Sequence, residues 1–273
     1  NRIALLIRNS ATTYDRAERT FSTSAKILGF VLRRFHRWTK SRKVRFFTDS
    51  SRLAEEYRAL AGLDIEVVPH PVCIDSSAAC DREKGRAPDK PLTLICPGPA
   101  RWEKGAQLLL AAMSEIGRSD IRCVLQWPDP VRSPAGVVVE PDSALCEIVT
   151  EPLSSEEYKS LLCQADCIVL PYLREFYYAR ISGIAVEAMR LGIPLIYCED
   201  TWVADMVGLH GSGIGFPSGD ATALAECIRK FSADRETWQR AAETAAASAK
   251  SYFSAEHFLD VFWKDSDIHI ETK

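Results

Sequence analysis

Two short segments carry residues whose types and spacing could stabilise a departing diphosphate. In PGPARWEKG (residues 97–105), Arg101 and Lys104 sit in a turn that follows an apolar run and precedes an amphipathic stretch with Leu108, Leu109, Ala112 and Met113. Cations at the carboxyl end of a strand, close to a helix start, can neutralise the charge a diphosphate gains as it leaves. In SGIAVEAMRLGIP (residues 182–194), Ser182, Gly183 and Ile184 open a helical pattern that Gly192 and Pro194 close. The first amides of such a helix are unpaired and lie at the positive end of its dipole, so a phosphate there is held without any side chain. Glu187 lies about one turn further in, among Ile184, Ala185, Ala188 and Met189. A carboxylate in such company is costly unless it accepts hydrogen bonds, for which sugar hydroxyls are one source. Residue types alone equally fit a solvated basic turn and an ordinary serine-capped helix.

The elements that must position these residues follow from periodicity. Short apolar runs predict strands at 92–97, 121–127, 136–140, 146–150, 167–172 and 194–198, and amphipathic patterns predict helices at 104–116, 154–165, 182–191 and 220–231. Strand and helix alternate, so the fold class is α/β, a Rossmann-like parallel sheet with helices on both faces. The polar stretch at residues 75–90 reads as a linker, giving a first unit at 1–74, a second at 91–252, and a terminal amphipathic helix and tail at 253–273. The first unit offers three strands (Ile3 to Arg8, Val44 to Thr48, Ile65 to Pro69) and two helices, about half of a complete Rossmann-type domain.

Composition narrows the function classes. A net charge of −3 argues against a general nucleic-acid binder, and no run reaches the ~20 apolar residues of a membrane span. The nine cysteines are scattered, and the C-x3-C pair Cys163 and Cys167 has no matching Cys or His pair. Buried free thiols in a reducing, cytoplasmic setting are therefore expected, with no metal site and no cofactor. Between Lys26 and Arg45 there are eight Lys and Arg residues and no acid, with Leu28, Val31, Leu32, Phe35 and Trp38 at helical spacing on one face. Two readings fit: peripheral contact with an anionic inner membrane face through residues 26–45, or a helix docked on the sheet with a solvated basic back.

Taken in order, the motifs resemble the carboxyl-terminal nucleotide-sugar-binding domain of GT-B glycosyltransferases of the large group 1 family, the retaining enzymes related to glycogen synthase. GPARWEKG looks like that family's G-R-x-x-x-x-K-G phosphate loop, and VTEPLSSEEYKSLLCQADCIVLPY looks like its strand, helix and strand. SGIAVEAMRLGIPLI looks like its EAMAxGxPVV segment, and GIGFPSGDATALAECIRKF like its closing G-D motif. The resemblance covers Leu92 to Phe231 and implies a sugar transfer from a nucleoside-diphosphate sugar to a glycan or lipid-linked acceptor, without metal. It implies that Arg101 and Lys104 bind the diphosphate beside Gly98, and that the amides of Ser182, Gly183 and Ile184 hold phosphates and donor sugar. Glu187 would bind the ribose, and the Leu153 to Tyr158 loop would border the base.

The sequence departs from the family in two places. Pro99 stands where the family has arginine, which makes Arg101 its substitute, and the first glutamate of the E-x7-E pattern is Ala179, with Arg180 beside it on the donor side. This leaves the stereochemical outcome open. TDSSRLAEEYRALAGLDIEVVPHPV resembles the last strand, helix and strand of the family's amino-terminal domain, so residues 1–74 are expected to be only its second half. A non-catalytic protein that binds nucleotide or a partner is the alternative that these departures favour.

Overall fold

The computed structural model describes residues 3–8, 14–15, 20–39, 44–72, 90–117 and 120–264. Two compact units emerge, the first from Asn1–Pro71, Tyr178–Ile181 and Phe253–Lys273, the second from Val72–Tyr177 and Ser182–Tyr252. The linker expected at 75–90 lies almost wholly outside the described residues.

In the first unit, β1 (Ile3–Ile7), β4 (Val44–Thr48) and β5 (Ile65–Val67) form a parallel sheet in the order β1-β4-β5, and β2 (Tyr14–Asp15) and β3 (Thr20–Phe21) form a small antiparallel pair. The three sheet strands match the three predicted from apolar runs. Helix α1 (Thr23–Thr39) and helix α2 (Ser51–Ala61) connect them. The Ser50 hydroxyl caps α2 by accepting from the Leu53 amide, and Gly62 ends it in the left-handed conformation. Phe46, Leu53, Tyr57, Leu60, Leu63 and Ile65 form the core. Helix α10 (Ala255–Trp263) joins this unit through Arg45, whose guanidinium donates to the carbonyls of Phe262 and Lys264 while forking onto both oxygens of Glu66.

The docked side of α1 is its small-residue side. Ala25 is buried, Leu32 packs against the core, and a Cβ added to Gly29 would lie 2.7 Å from the Leu60 carbonyl oxygen. Phe35 meets Phe46 edge-on, but Leu28, Val31 and Trp38 are exposed, together with Ile27 and Phe30. The solvated side thus carries large apolar side chains as well as the exposed Lys26, Arg33, Arg34 and Arg37.

In the second unit, β6 (Leu92–Cys96), β7 (Ile121–Gln126), β10 (Glu147–Val149), β11 (Cys167–Leu170), β12 (Leu195–Cys198) and β13 (Gly213–Phe216) form one parallel sheet in the order β10-β7-β6-β11-β12-β13. Successive strands run outward from β6 on one side and from β11 on the other. The order therefore reverses between β6 and β11, and in a doubly wound sheet the carboxyl ends on either side of that switch point frame the ligand crevice. Helices α3 (Ala106–Ile116), α4 (Ser155–Gln164), α5 (Arg174–Tyr177), α6 (Gly183–Leu191), α7 (Trp202–His210), α8 (Ala221–Ala233) and α9 (Arg235–Tyr252) complete the unit. Leu94, Cys96, Cys167, Val169 and Ile196 share a core with Leu109, Met113, Leu224, Ile228 and Phe231. The alternate strand residues Ile95, Ile168, Leu170 and Leu195 are equally buried on the other face. That two-sided burial explains the uninterrupted apolar runs.

Three expectations need correction. The strand at 136–140 is instead part of a two-stranded antiparallel ribbon, β8 (Val131–Arg132) with β9 (Val138–Val139), outside the main sheet. Gly136, at φ +81°, and Pro134 turn the chain there, and Ser133 and Val137 close the turn by hydrogen bonds. The helix expected from 104 begins at Ala106, after a tight 3-10 turn at Trp102–Lys104 and a left-handed Gly105. The sheet edge β13 and helix α9 were not predicted: GIGF is poor in the usual strand residues, and α9 buries Gln239, Ala242, Ala246 and Ala249 rather than large apolar side chains.

Candidate functional site

Both sides of the crevice are built from backbone. After β6 the loop is tied to the end of β7, where the Gly98 amide donates to Gln126 Oε1 (2.9 Å) and the Ala100 amide to the Gln126 carbonyl (2.8 Å). It then closes onto the end of β11, where the Leu173 amide donates to the Glu103 carbonyl (3.0 Å). Gly105 stands so close to β11 that an added Cβ would lie 1.8 Å from the Pro171 carbonyl oxygen. This contact fixes where α3 starts and therefore where Lys104 can reach.

On the other side, α6 starts at the N-cap Ser182, whose hydroxyl accepts from the Ala185 amide (3.2 Å) and lies 3.3 Å from the Tyr172 hydroxyl. Tyr172 stacks on Tyr177 at 4.0 Å, and both rings are buried beneath the helix start. Among the described residues the amides of Gly183 and Ile184 make no hydrogen bond, leaving two donors at the positive end of the helix. The two sides converge at Gly98, where an added Cβ would lie 3.0 Å from Lys104 Nζ and 3.1 Å from Ile184 Cδ1. Gly98, Lys104 and the start of α6 are thus one locus.

Glu187 is half-buried in the second turn of α6, and its Oε2 accepts from the Tyr158 hydroxyl at 2.5 Å. Burial pushes the Glu187 carboxyl above the usual range, opposed by the Tyr158 hydrogen bond. Burial also raises Tyr158, with the Glu187 hydrogen bond and charge adding to the effect. Tyr158 sits in the first turn of α4, fixed by a capping box between Ser154 and Glu157, with Leu153 half-buried just before it. That capping box lowers the Glu157 carboxyl through the Ser154 amide.

Arg101 is exposed, and among the described residues its side chain makes one long ion pair, 3.8 Å, with Glu103. Arg180 lies in Tyr178–Ile181, a segment that clusters with the first unit. Ala179, at the missing glutamate's position, is only 3% exposed and belongs to the first unit's apolar core, where a carboxylate would be desolvated. Trp202 is core, just inside the Thr201-capped start of α7. His70 accepts from Arg8 Nη2 at Nδ1 (2.9 Å) in the tautomer this requires, and burial followed by the Arg8 charge lowers its pKa. His210 bonds Ser248 and stacks on Tyr252.

Sequence reasoning missed Asp200, which follows β12 with φ +54° and pairs with Arg174, whose amide donates to Ser218 Oγ. A positive φ at an aspartate leaves no mark in a single sequence. Cys96, Cys123, Cys146, Cys167, Cys198 and Cys227 are free and buried, but Cys163 is disulfide-bonded, which corrects the expectation of free thiols alone; burial pushes the Cys96 thiol up to about 12. Among the described residues no group of three or more His, Cys, Asp or Glu could hold a metal ion, and no helix is long and apolar enough to cross a membrane.

A doubly wound sheet with loops converging on its switch point, joined to a second parallel α/β unit, is the fold of GT-B glycosyltransferases. Residues 91–234, just over half of the chain, match the family described as glycosyl transferases group 1. The chain belongs to that family and is a glycosyltransferase. Among solved structures it is similar to HepE from Anabaena in complex with UDP and glucose, at 12% identity and a TM-score of 0.69, covering 98% of this chain and 72% of that one. Sucrose-phosphate synthase from Thermosynechococcus elongatus matches at 18% identity and TM-score 0.65, covering 96% and 66%. WaaG, a glycosyltransferase involved in lipopolysaccharide biosynthesis, matches at 13% identity and TM-score 0.63, covering 98% and 77%. At these identities the likeness carries the fold. No curated protein sequence matches the chain.

Proposed function

We propose that the chain transfers a sugar from a nucleoside-diphosphate sugar to a hydroxyl of a glycan or lipid-linked acceptor, without a metal ion. The observation that carries this reading is the convergence of Gly98, Lys104 and the unpaired amides of Gly183 and Ile184 at the switch point. The bond from the anomeric carbon to the diphosphate breaks, a bond to the acceptor oxygen forms, and the acceptor hydroxyl loses its proton. The departing diphosphate gains charge, which Lys104 and the α6 amides offset where they stand, with Arg101 reaching in from the loop. Glu187 accepts from the ribose, and Leu153 borders the base. The nucleotide is the first part of the donor to test: HepE has been solved with UDP and with UDP-glucose, so uridine donors head the panel. Incubation of the chain with UDP-, GDP- and ADP-sugars, with chelator present, is expected to release one diphosphate above the background rate. Absence of release from every donor, with a glycan and a lipid-linked acceptor each supplied, would favour the non-catalytic alternative.

The lipid-linked acceptor is the reading that α1 supports. Its exposed side carries Ile27, Phe30, Val31 and Trp38, the last two 55% exposed, and Lys26, Arg33 and Arg37 run along one flank. Phe30, Val31, Arg34, Phe35, Arg37 and Trp38 line an open groove on it. An interfacial helix binds an anionic bilayer with this combination of aromatic insertion and basic contact to headgroups. Co-sedimentation at low salt with phosphatidylglycerol vesicles is expected, falling in phosphatidylcholine or at high salt and lost in a Phe30→Ser/Trp38→Ser double variant. No binding to anionic vesicles at low salt would remove the membrane from the proposal.

A further inference from the structure

A half-buried carboxylate needs donors, and among the described residues Glu187 has one, the hydroxyl of Tyr158, which arrives from α4 rather than from α6. Its placement is not left to a flexible chain. Tyr158 lies in the helical turn that the Ser154 and Glu157 capping box locks, and its own amide donates to the Ser154 carbonyl (2.9 Å). With 2.5 Å between the two oxygens, Oε2 is committed to the phenol and the carboxylate plane is set, leaving Oε1 to accept from a ligand. A phenol beside a carboxylate donates its single proton, and its oxygen keeps a lone pair free to accept from a second hydroxyl. A carboxylate oxygen and a phenol oxygen held side by side are complementary to two neighbouring hydroxyl groups, as a ribose presents them. A deoxy sugar would leave one of these two half-buried acceptors without a donor.

We propose that Tyr158 is a positioning residue that orients Glu187 and, with it, selects a ribonucleotide over a deoxyribonucleotide donor. The proposal rests on the assignment of Glu187 to the ribose, and deepens it by giving the carboxylate a second, specificity-setting partner. The test is calorimetry of UDP, 2′-deoxy-UDP, 3′-deoxy-UDP and pyrophosphate on the unaltered chain, Tyr158→Phe and Glu187→Gln, repeated with guanosine and adenosine sets. The base that binds tightest is the one read. The unaltered chain is expected to prefer the ribonucleotide to at least one deoxy form by about tenfold, the scale of one hydrogen bond to a charged group. In Tyr158→Phe that preference is expected to shrink at least threefold while pyrophosphate binds as before, because phenylalanine fills the same space.

Full discrimination in Tyr158→Phe would overturn the proposal and leave the Glu187 assignment standing. An equal loss of pyrophosphate and nucleotide affinity in Tyr158→Phe would also overturn it, by showing that the tyrosine merely supports the fold. No discrimination by the unaltered chain, with nucleotide bound and Glu187→Gln unchanged, would overturn the ribose assignment itself and this proposal with it.

Discussion

Lys104→Ala is expected to lower turnover by on the order of 100-fold while changing donor affinity far less. The reasoning is differential binding. In the proposed function, bound donor already carries the diphosphate charge and the amides of Gly183 and Ile184, unpaired among the described residues, are assigned to hold it, so ground-state affinity has several contributors. Charge that develops only as the sugar leaves is met by whatever stands closest, and Lys104 Nζ lies beside Gly98, the residue that Ile184 Cδ1 also approaches. Removing one preorganised partner of a developing anion costs roughly 3 kcal/mol in comparable sites. Lys104 is half-buried and outside the apolar core, so its loss leaves the melting temperature little changed and the kinetic effect can be read without a folding artefact. Steady-state kinetics with the cognate donor check it. Unchanged turnover would refute the assignment, and a fall in affinity alone would make Lys104 a binding residue rather than a catalytic one.

Gly105→Ala is expected to be the most damaging single methyl group in the second unit. Its φ of +71° costs an L side chain about 1 kcal/mol, and the added Cβ would lie 1.8 Å from the Pro171 carbonyl oxygen and 2.8 Å from its carbon. No side-chain rotation relieves a clash with backbone, so either the loop after β6 or the end of β11 must move. Overpacking of this kind costs typically 1–3 kcal/mol on its own. Because that approach aligns the two sides of the crevice, nucleotide binding should fall with stability. Gly136→Ala is the control: its φ is +81°, but an added Cβ meets nothing within 4 Å, so it carries the backbone cost alone. Thermal melts of the two variants separate the terms. If Gly105→Ala melts no lower than Gly136→Ala, the close approach of the loop to β11 is wrong.

The parts of the fold legible in sequence were those with a strong local cause. Strand β11 is apolar and buried throughout, and β6 and β12 nearly so, because the sheet is covered on both faces, and α4 and α6 announce themselves through Ser154, Ser182 and Gly192. What was misread had its cause elsewhere in the chain. The start of α3 is set by Pro171, far away in sequence, and β13 is held by its pairing with β12 rather than by its own residues. Helix α1 shows the reverse case: Leu28, Val31 and Trp38 have core-like spacing, yet Ala25 and Gly29 make the close contact with α2. In the site, the order of motifs placed Gly98, Lys104, Ser182 and Ile184 together. The hydrogen bond between Tyr158 and Glu187 joins two helices and could not be read from either, just as the burial of Ala179 in the first unit's core could not.

The central claim, a donor site that holds a nucleoside diphosphate by its phosphates and its ribose, is tested most directly by calorimetric titration of UDP, GDP and ADP, without metal, into the chain and its Glu187→Ala variant. Micromolar binding of one of the three, weakened at least tenfold by the substitution, is the predicted result, a loss of about 1.4 kcal/mol and the scale of a hydrogen bond to a charged group. Absence of binding by all three, or binding that Glu187→Ala leaves unchanged, would contradict it.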